Sequence, residues 1–237
     1  MKNILRVFLV IYAISIKSFP ANAEDVRVQC SNSAITITMS VPSGNVKCLT
    51  VMNSEPAAAD KPLSEAKIAS ASVVINDYVR AGNFSPEVTA FSINALSSVN
   101  SEIYAVATNL VAQLNQSNQS GENISLSVPV PFLPYQQKSQ LFASLPKMIR
   151  FSNGIGIRTI TAYGDAGNLV SNDNLIYSMQ GITQDGLKYI SAVIPISNMQ
   201  ITGPVDLASF NWTSLPENSW NPSLSVLDSY MQTIITN

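Results

Sequence analysis

The chain contains no histidine. That absence removes Ser-His-Asp and Cys-His nucleophilic catalysis, zinc held by imidazole, and acid–base work by the one side chain that ordinarily titrates near neutrality. Charge is scarce as well: Asp, Glu, Lys and Arg make up 12% of 237 residues, and Lys and Arg form no cluster. Nucleic acid and anionic lipid are bound through clustered cations, so neither is expected as a partner. Cysteine occurs only at positions 30 and 48, in neither a C-x-x-C nor a zinc-ligand spacing. Gly154-Ile155-Gly156 lacks the third glycine and the following helix of a dinucleotide site, and no Walker A motif occurs. No cofactor and no metal ligand set is expected.

The first 23 residues carry Lys2 and Arg6, the apolar run from Val7 to Ile16, and Ala21-Asn22-Ala23 as an A-x-A cleavage site. This is the layout of a secretory signal peptide. Its apolar run is about half the length a membrane-spanning helix needs, and no second such run follows, so no membrane anchor is expected. Losing Lys2, Arg6 and Lys17 with the signal leaves 10 basic residues of 13 against 15 acidic ones, a net charge near −5. The expected location is outside the cytoplasm, periplasmic or secreted. In an oxidising compartment Cys30 and Cys48 are expected to form one structural disulfide.

Residues 34–41 alternate Ile35, Ile37, Met39 and Val41 with Ala34, Thr36, Thr38 and Ser40, the period of a half-buried strand. Pro42 to Asn45 reads as a turn and residues 53–62 as an Ala/Pro-rich connector. Strands are expected at 67–79 and 88–93. From Asn100 to Gln116 the period changes: Asn100 suits an N-cap, and Ile103, Val106, Ala107, Leu110, Val111 and Leu114 share one helical face. Residues 115–136 are polar and then Pro-rich, an extended connection.

A short helix is expected at 137–145, then strands at 147–152 and 155–163 about an Asn153-Gly154 turn. A second hairpin folds about Asp185-Gly186. A two-residue loop there pairs Ile182 with Tyr189, Gln180 with Ser191 and Ser178 with Val193 on one face. Gly181 with Ile190, Met179 with Ala192 and Tyr177 with Ile194 lie on the other. The second set is apolar and faces the core; the first is mixed and is expected to be only partly covered. A last helix starts from Asn221 and Pro222 and carries Leu224, Leu227, Met231, Ile234 and Ile235 on one stripe.

The fold class expected is α+β, an antiparallel β-sheet with helices packed on one face. The division expected is a signal peptide at 1–23 and a single domain at 24–237, whose first part, 24–55, is a strand segment holding the disulfide.

Few positions carry catalytic chemistry. Ser64-Glu65-Ala66-Lys67 matches S-x-x-K, in which a lysine one helical turn away takes the proton of a nucleophilic serine. No K-T-G or K-S-G accompanies it, and a solvated segment is the simpler reading. Asp165, Asp173 and Asp185 lie in turn-like contexts, where Asp is favoured by its bonds to nearby backbone. Carboxylates gathered on one sheet edge are the calcium alternative. Arg158 inside an apolar strand has to be exposed or paired, and an ion pair is expected. Residues 197–221 form a long irregular connection holding Phe210, Trp212 and Trp220, read either as a cap on an open edge of the core or as a ligand or partner surface.

The pieces "PFLP" at 131–134, "SQLFAS" at 139–144, "FSNGIGIRTITAY" at 151–163 and "LIYSMQGITQDGLKYISAVIP" at 175–195 resemble a group of exported bacterial proteins of unknown function. The resemblance covers about 65 of 214 mature residues. It implies an extracytoplasmic α+β module of this size and brings no catalytic residue with it. The function expected is an exported, non-enzymatic binding module for an unidentified protein or small ligand. The alternative is a hydrolase using carboxylates or a Ser/Lys pair.

Overall fold

The structure is a computed structural model that describes residues 25–42, 46–56, 67–76, 85–120, 126, 129–131, 133, 139–165, 167, 169–207 and 210–237. In chain order its strands are β1 (Val26–Ser31), β2 (Thr36–Val41), β3 (Val46–Val51), β4 (Ser70–Ile75) and β5 (Glu87–Ser92). Two helices follow, α1 (Ile93–Val99) and α2 (Ser101–Ser120), then the long strands β6 (Ser139–Phe151), β7 (Gly154–Gly164), β8 (Ile176–Thr183) and β9 (Lys188–Pro195). The short strands β10 (Ser197–Asn198) and β11 (Trp220–Asn221), helix α3 (Leu224–Gln232) and strand β12 (Ile235–Thr236) complete it.

The main sheet has seven antiparallel strands in the order β3-β4-β5-β9-β8-β7-β6. A smaller sheet, β1-β2-β12, lies on one of its faces. Side chains of a strand alternate between faces, and both faces of this sheet are covered. Toward the small sheet point Val73, Ala90, Ala192, Tyr177, Met179, Ile160 and Ile149, packed with Ile37 and Met39 of β2 and with Leu224, Leu227 and Met231 of α3. Toward α1 and α2 point Phe91, Tyr189, Ile182 and Ile157, which meet Leu96, Val99, Ala107 and Leu110. The α+β architecture and the antiparallel sheet therefore hold. Helices confined to one face do not: α3 lies on the face opposite α1 and α2, because its apolar stripe finds its partners beside the small sheet.

The β8–β9 register is the expected one, from Tyr177↔Ile194 to Ile182↔Tyr189. Its connection is longer than two residues: the strands end at Thr183 and Lys188, and Gly186 N–H closes a turn onto the Thr183 carbonyl, with Gly186 at φ +72°. The mixed face of this hairpin is fully buried. Some of its polar groups pair sideways, Gln180 Nε2 donating to Ser191 Oγ (2.9 Å) and Ser178 Oγ (3.3 Å), and Ser191 Oγ donating to the Leu133 carbonyl (2.7 Å), while Gln180 Oε1 and the Tyr189 hydroxyl have no partner among the described residues. Such pairing allows Ser and Gln under a helical layer.

The helix expected at 137–145 is the first half of β6. Leu141, Phe142 and Leu145 sit at helical spacing, but register shifts between Gln140 and Phe142 and between Ser144 and Lys147 produce that spacing within a bulged strand. The β6–β7 turn is Ser152-Asn153, one residue earlier than expected, since Phe151 pairs with Gly154. Gly156 and Gly181 face each other across β7 and β8, and a Cβ on Gly181 would stand 2.9 Å from the Gly156 Cα. Asn100 caps α2 as expected, its Oδ1 accepting the Glu102 and Ile103 N–H groups, both at 3.1 Å. Helix α1 precedes it, with Ile93, Leu96 and Val99 buried, where the sequence reading ended a strand. The residue capping α3 is Ser223 rather than Asn221. Residues 43–45, all of 57–66 and most of 121–138 lie outside the described residues, so the Pro42–Asn45 turn and the two connectors are described only in part.

Candidate functional site

Strand β6 ends the main sheet, and its bulge puts two successive apolar side chains, Leu141 and Phe142, on the face that holds the small sheet. Phe142 turns inward and stacks on Trp212, with ring centroids 4.2 Å apart, and Phe210 meets Trp212 edge-on at 4.6 Å. Leu141 lines a groove of about 370 Å³ together with Ser139, Gln140, Gly167, Leu169, Asp206 and Leu207. The far wall is held by a two-bond bridge, Val205 N–H to the Val170 carbonyl (2.8 Å) and Val170 N–H to the Val205 carbonyl (3.2 Å). On the near wall the Gln140 side chain is fixed, accepting the Val130 N–H (3.0 Å) and donating to Thr161 Oγ1 (3.1 Å). Leu169 is 55% exposed at the rim, and among the described residues of the lining Asp206 is the one that ionises.

Of the aromatic residues singled out in the sequence, Phe210 and Trp212 come together beside Phe142, Trp220 lies in β11 opposite Asn198, and none of the three lines the groove. Trp212 and Trp220 are 7% and 4% exposed and belong to the main core, with Phe210 half-buried against it. The indoles thus close the core where it meets the 197–221 connection. The groove residues Leu169, Asp206 and Leu207 were not singled out by the sequence. Leu207 lies within the same aromatic connection, which was the available signal; Leu169, between two loops, offered none.

A second cluster lies on the same face. Arg158 and Asp228 are 5% and 2% exposed. Arg158 Nε stands 3.3 Å from Asp228 Oδ1, Arg158 Nη1 donates to the Leu145 carbonyl (3.0 Å), and Tyr177 OH donates to Asp228 Oδ1 (3.0 Å). Lys147 reaches Asp228 Oδ2 at 2.7 Å from a half-exposed position. Burial, and then the negative charge of Asp228, hold the Tyr177 phenol well above its ordinary range, so it stays protonated and donates. This is the ion pair expected for Arg158, and it ties α3 to β6, β7 and β8.

The remaining candidates disperse. Cys30 and Cys48 form the expected disulfide, which joins β1 to β3 and so the small sheet to the edge of the large one. Ser64 lies outside the described residues, while Lys67 is exposed and paired with Glu55 at 2.9 Å. Asp185 serves its own turn, accepting from the Thr183 hydroxyl and from the Leu187 N–H at 2.9 Å; these bonds hold its carboxyl below the usual carboxylate range. Asp173 is likewise bonded within its loop, its N–H donating to Ser171 Oγ at 3.2 Å. Among the described residues no three of Asp, Glu and Cys converge as metal ligands, and no helix is long and apolar enough to cross a membrane. Compared with known proteins, the chain matches no family model, no curated protein and no solved structure.

Proposed function

We propose that the chain is an exported binding module that holds its ligand in the groove beside β6 rather than transforming it. The observation that carries this reading is the groove itself: an apolar, nearly uncharged depression of about 370 Å³ set between a sheet edge and a hydrogen-bonded loop bridge. A site on walls fixed in advance loses little freedom when it is filled, which favours binding. The signal-like first 23 residues, the resemblance over 131–195 and the disulfide support an extracytoplasmic address. In this reading Phe210 and Trp212, packed on Phe142, back the site, and the contacts are made by Leu141, Leu169 and Leu207.

The test is an NMR screen of the isotope-labelled chain against neutral fragments and short peptides. Binders should shift the amide signals of Ser139 to Leu141, Leu169 and Leu207 together, and Leu169→Glu should abolish those shifts while the rest of the spectrum is retained. Binders whose shifts cluster elsewhere and ignore Leu169→Glu would move the site off this groove.

A further inference from the structure

We infer that the occupant of the groove is an extended polypeptide segment, added as a further antiparallel strand on the free edge of β6. This rests on the groove reading above and gives it a ligand class. Among the described residues no strand of the main sheet lies beyond β6, so the peptide groups along its outer edge turn their N–H and C=O away from the sheet. Three β6 residues, Ser139, Gln140 and Leu141, form one wall of the groove with that edge. A row of alternating backbone donors and acceptors is matched by another extended backbone, and the apolar lining from Leu141, Leu169 and Leu207 then takes side chains of that segment. The lining spans three strand residues, about 10 Å, so the docked segment is short.

The two halves of β6 differ in a way that fits this assignment. The second half is protected against pairing: Leu145 has φ +50°, Pro146 has no N–H to offer, and Arg150 is an exposed cation. Strand edges are guarded against self-association by bulges, prolines and charges of this kind. The first half, Ser139 to Ser144, carries no proline and no charge, and it is the half that borders the groove. Among the described residues pairing is blocked along one stretch and open along the other, and a short foreign strand can use the open stretch alone.

The experiment selects a displayed library of random nonapeptides on the whole exported chain with its disulfide formed. Enriched peptides are then synthesised with and without N-methyl groups on alternate backbone amides, which remove edge hydrogen bonds and leave the side chains in place. The inference expects enriched peptides of alternating apolar pattern, amide shifts confined to Ser139–Ser144 and the groove, and an affinity loss of about tenfold or more in one of the two N-methylation registers. Peptides that lose binding with Leu169→Glu but tolerate both registers would overturn strand addition and leave the groove reading standing. Enriched peptides indifferent to Leu169→Glu, or no enrichment over an unrelated protein, would overturn both. A dimer in sedimentation that Ala143→Lys dissolves would assign the edge to a second copy and overturn the foreign strand.

Discussion

At the scale of single residues the buried polar groups separate into those whose hydrogen bonds are made and several, Thr159 among them, that have no partner among the described residues. The Thr159 hydroxyl is fully buried and has no hydrogen-bonding partner among the described residues. A desolvated hydroxyl without a partner is a cost, so Thr159→Val should raise stability by about 1 kcal/mol. Chemical denaturation checks this, and a loss of comparable size would mean that the hydroxyl has a partner in solution. Asp185 is the opposite case. Its carboxyl is held below the usual range by the Thr183 hydroxyl and the Leu187 N–H, so the bonds stabilise the hairpin tip above the ordinary carboxylate value and are lost as pH falls through the lowered one. Amide exchange at Leu187 should accelerate only in that acid window, and Asp185→Asn should flatten the profile.

At the scale of elements, α3 is fastened by one carboxylate. Asp228 meets Arg158, Tyr177 and Lys147, which stand on β7, β8 and β6. Asp228→Ala leaves the Arg158 guanidinium buried without a counter-charge, and the expected loss is about 3–5 kcal/mol. Lys147→Ala removes a half-exposed partner screened by water and should cost about 1 kcal/mol or less. Replacing both members of the buried pair, Arg158→Met with Asp228→Leu, should recover most of the loss in a double-mutant cycle. Equal costs for Lys147→Ala and Asp228→Ala would refute this division.

Much of the element scale was legible. Strand β2 and helix α2 follow periods visible in their own residues, and the β8–β9 register follows from the spacing about Asp185-Gly186. What misled was β6, where two bulges give Leu141, Phe142 and Leu145 the spacing of a helix. A bulge is set by how a strand meets its neighbour, which local periodicity does not record. Helix α1 shows the converse: Ile93, Leu96 and Val99 have helical spacing, but a helix of 7 residues, about two turns, is too short to stand out beside the strand before it.

At the scale of the whole molecule, the disulfide fastens the small sheet to the large one at the β3 edge. Its partners are 18 residues apart, and closing a loop of that size is worth about 3 kcal/mol. Reduction should lower the unfolding midpoint accordingly, and intact protein should gain no alkyl label until it is reduced. Label on unreduced protein would refute the bond. Loss of the disulfide should leave the groove intact, since β6 and β7 stand at the opposite end of the sheet from β3.

The chemistry the chain lacks, the cysteines available to pair and the period of each regular element are properties of composition and near neighbours, and the sequence by itself determined them. Whether the mixed face of the β8–β9 hairpin is wet or dry, whether Trp212 and Trp220 are surface or core, and that Asp228 is the partner of Arg158 were decided only by the tertiary structure. The groove belongs with these. Its walls come from residues 139–141, from Gly167 and Leu169, and from residues 206–207, which meet because Val170 bridges Val205 beside the edge of β6. Burial and concavity arise between segments distant in the chain, and no local pattern of side chains carries them.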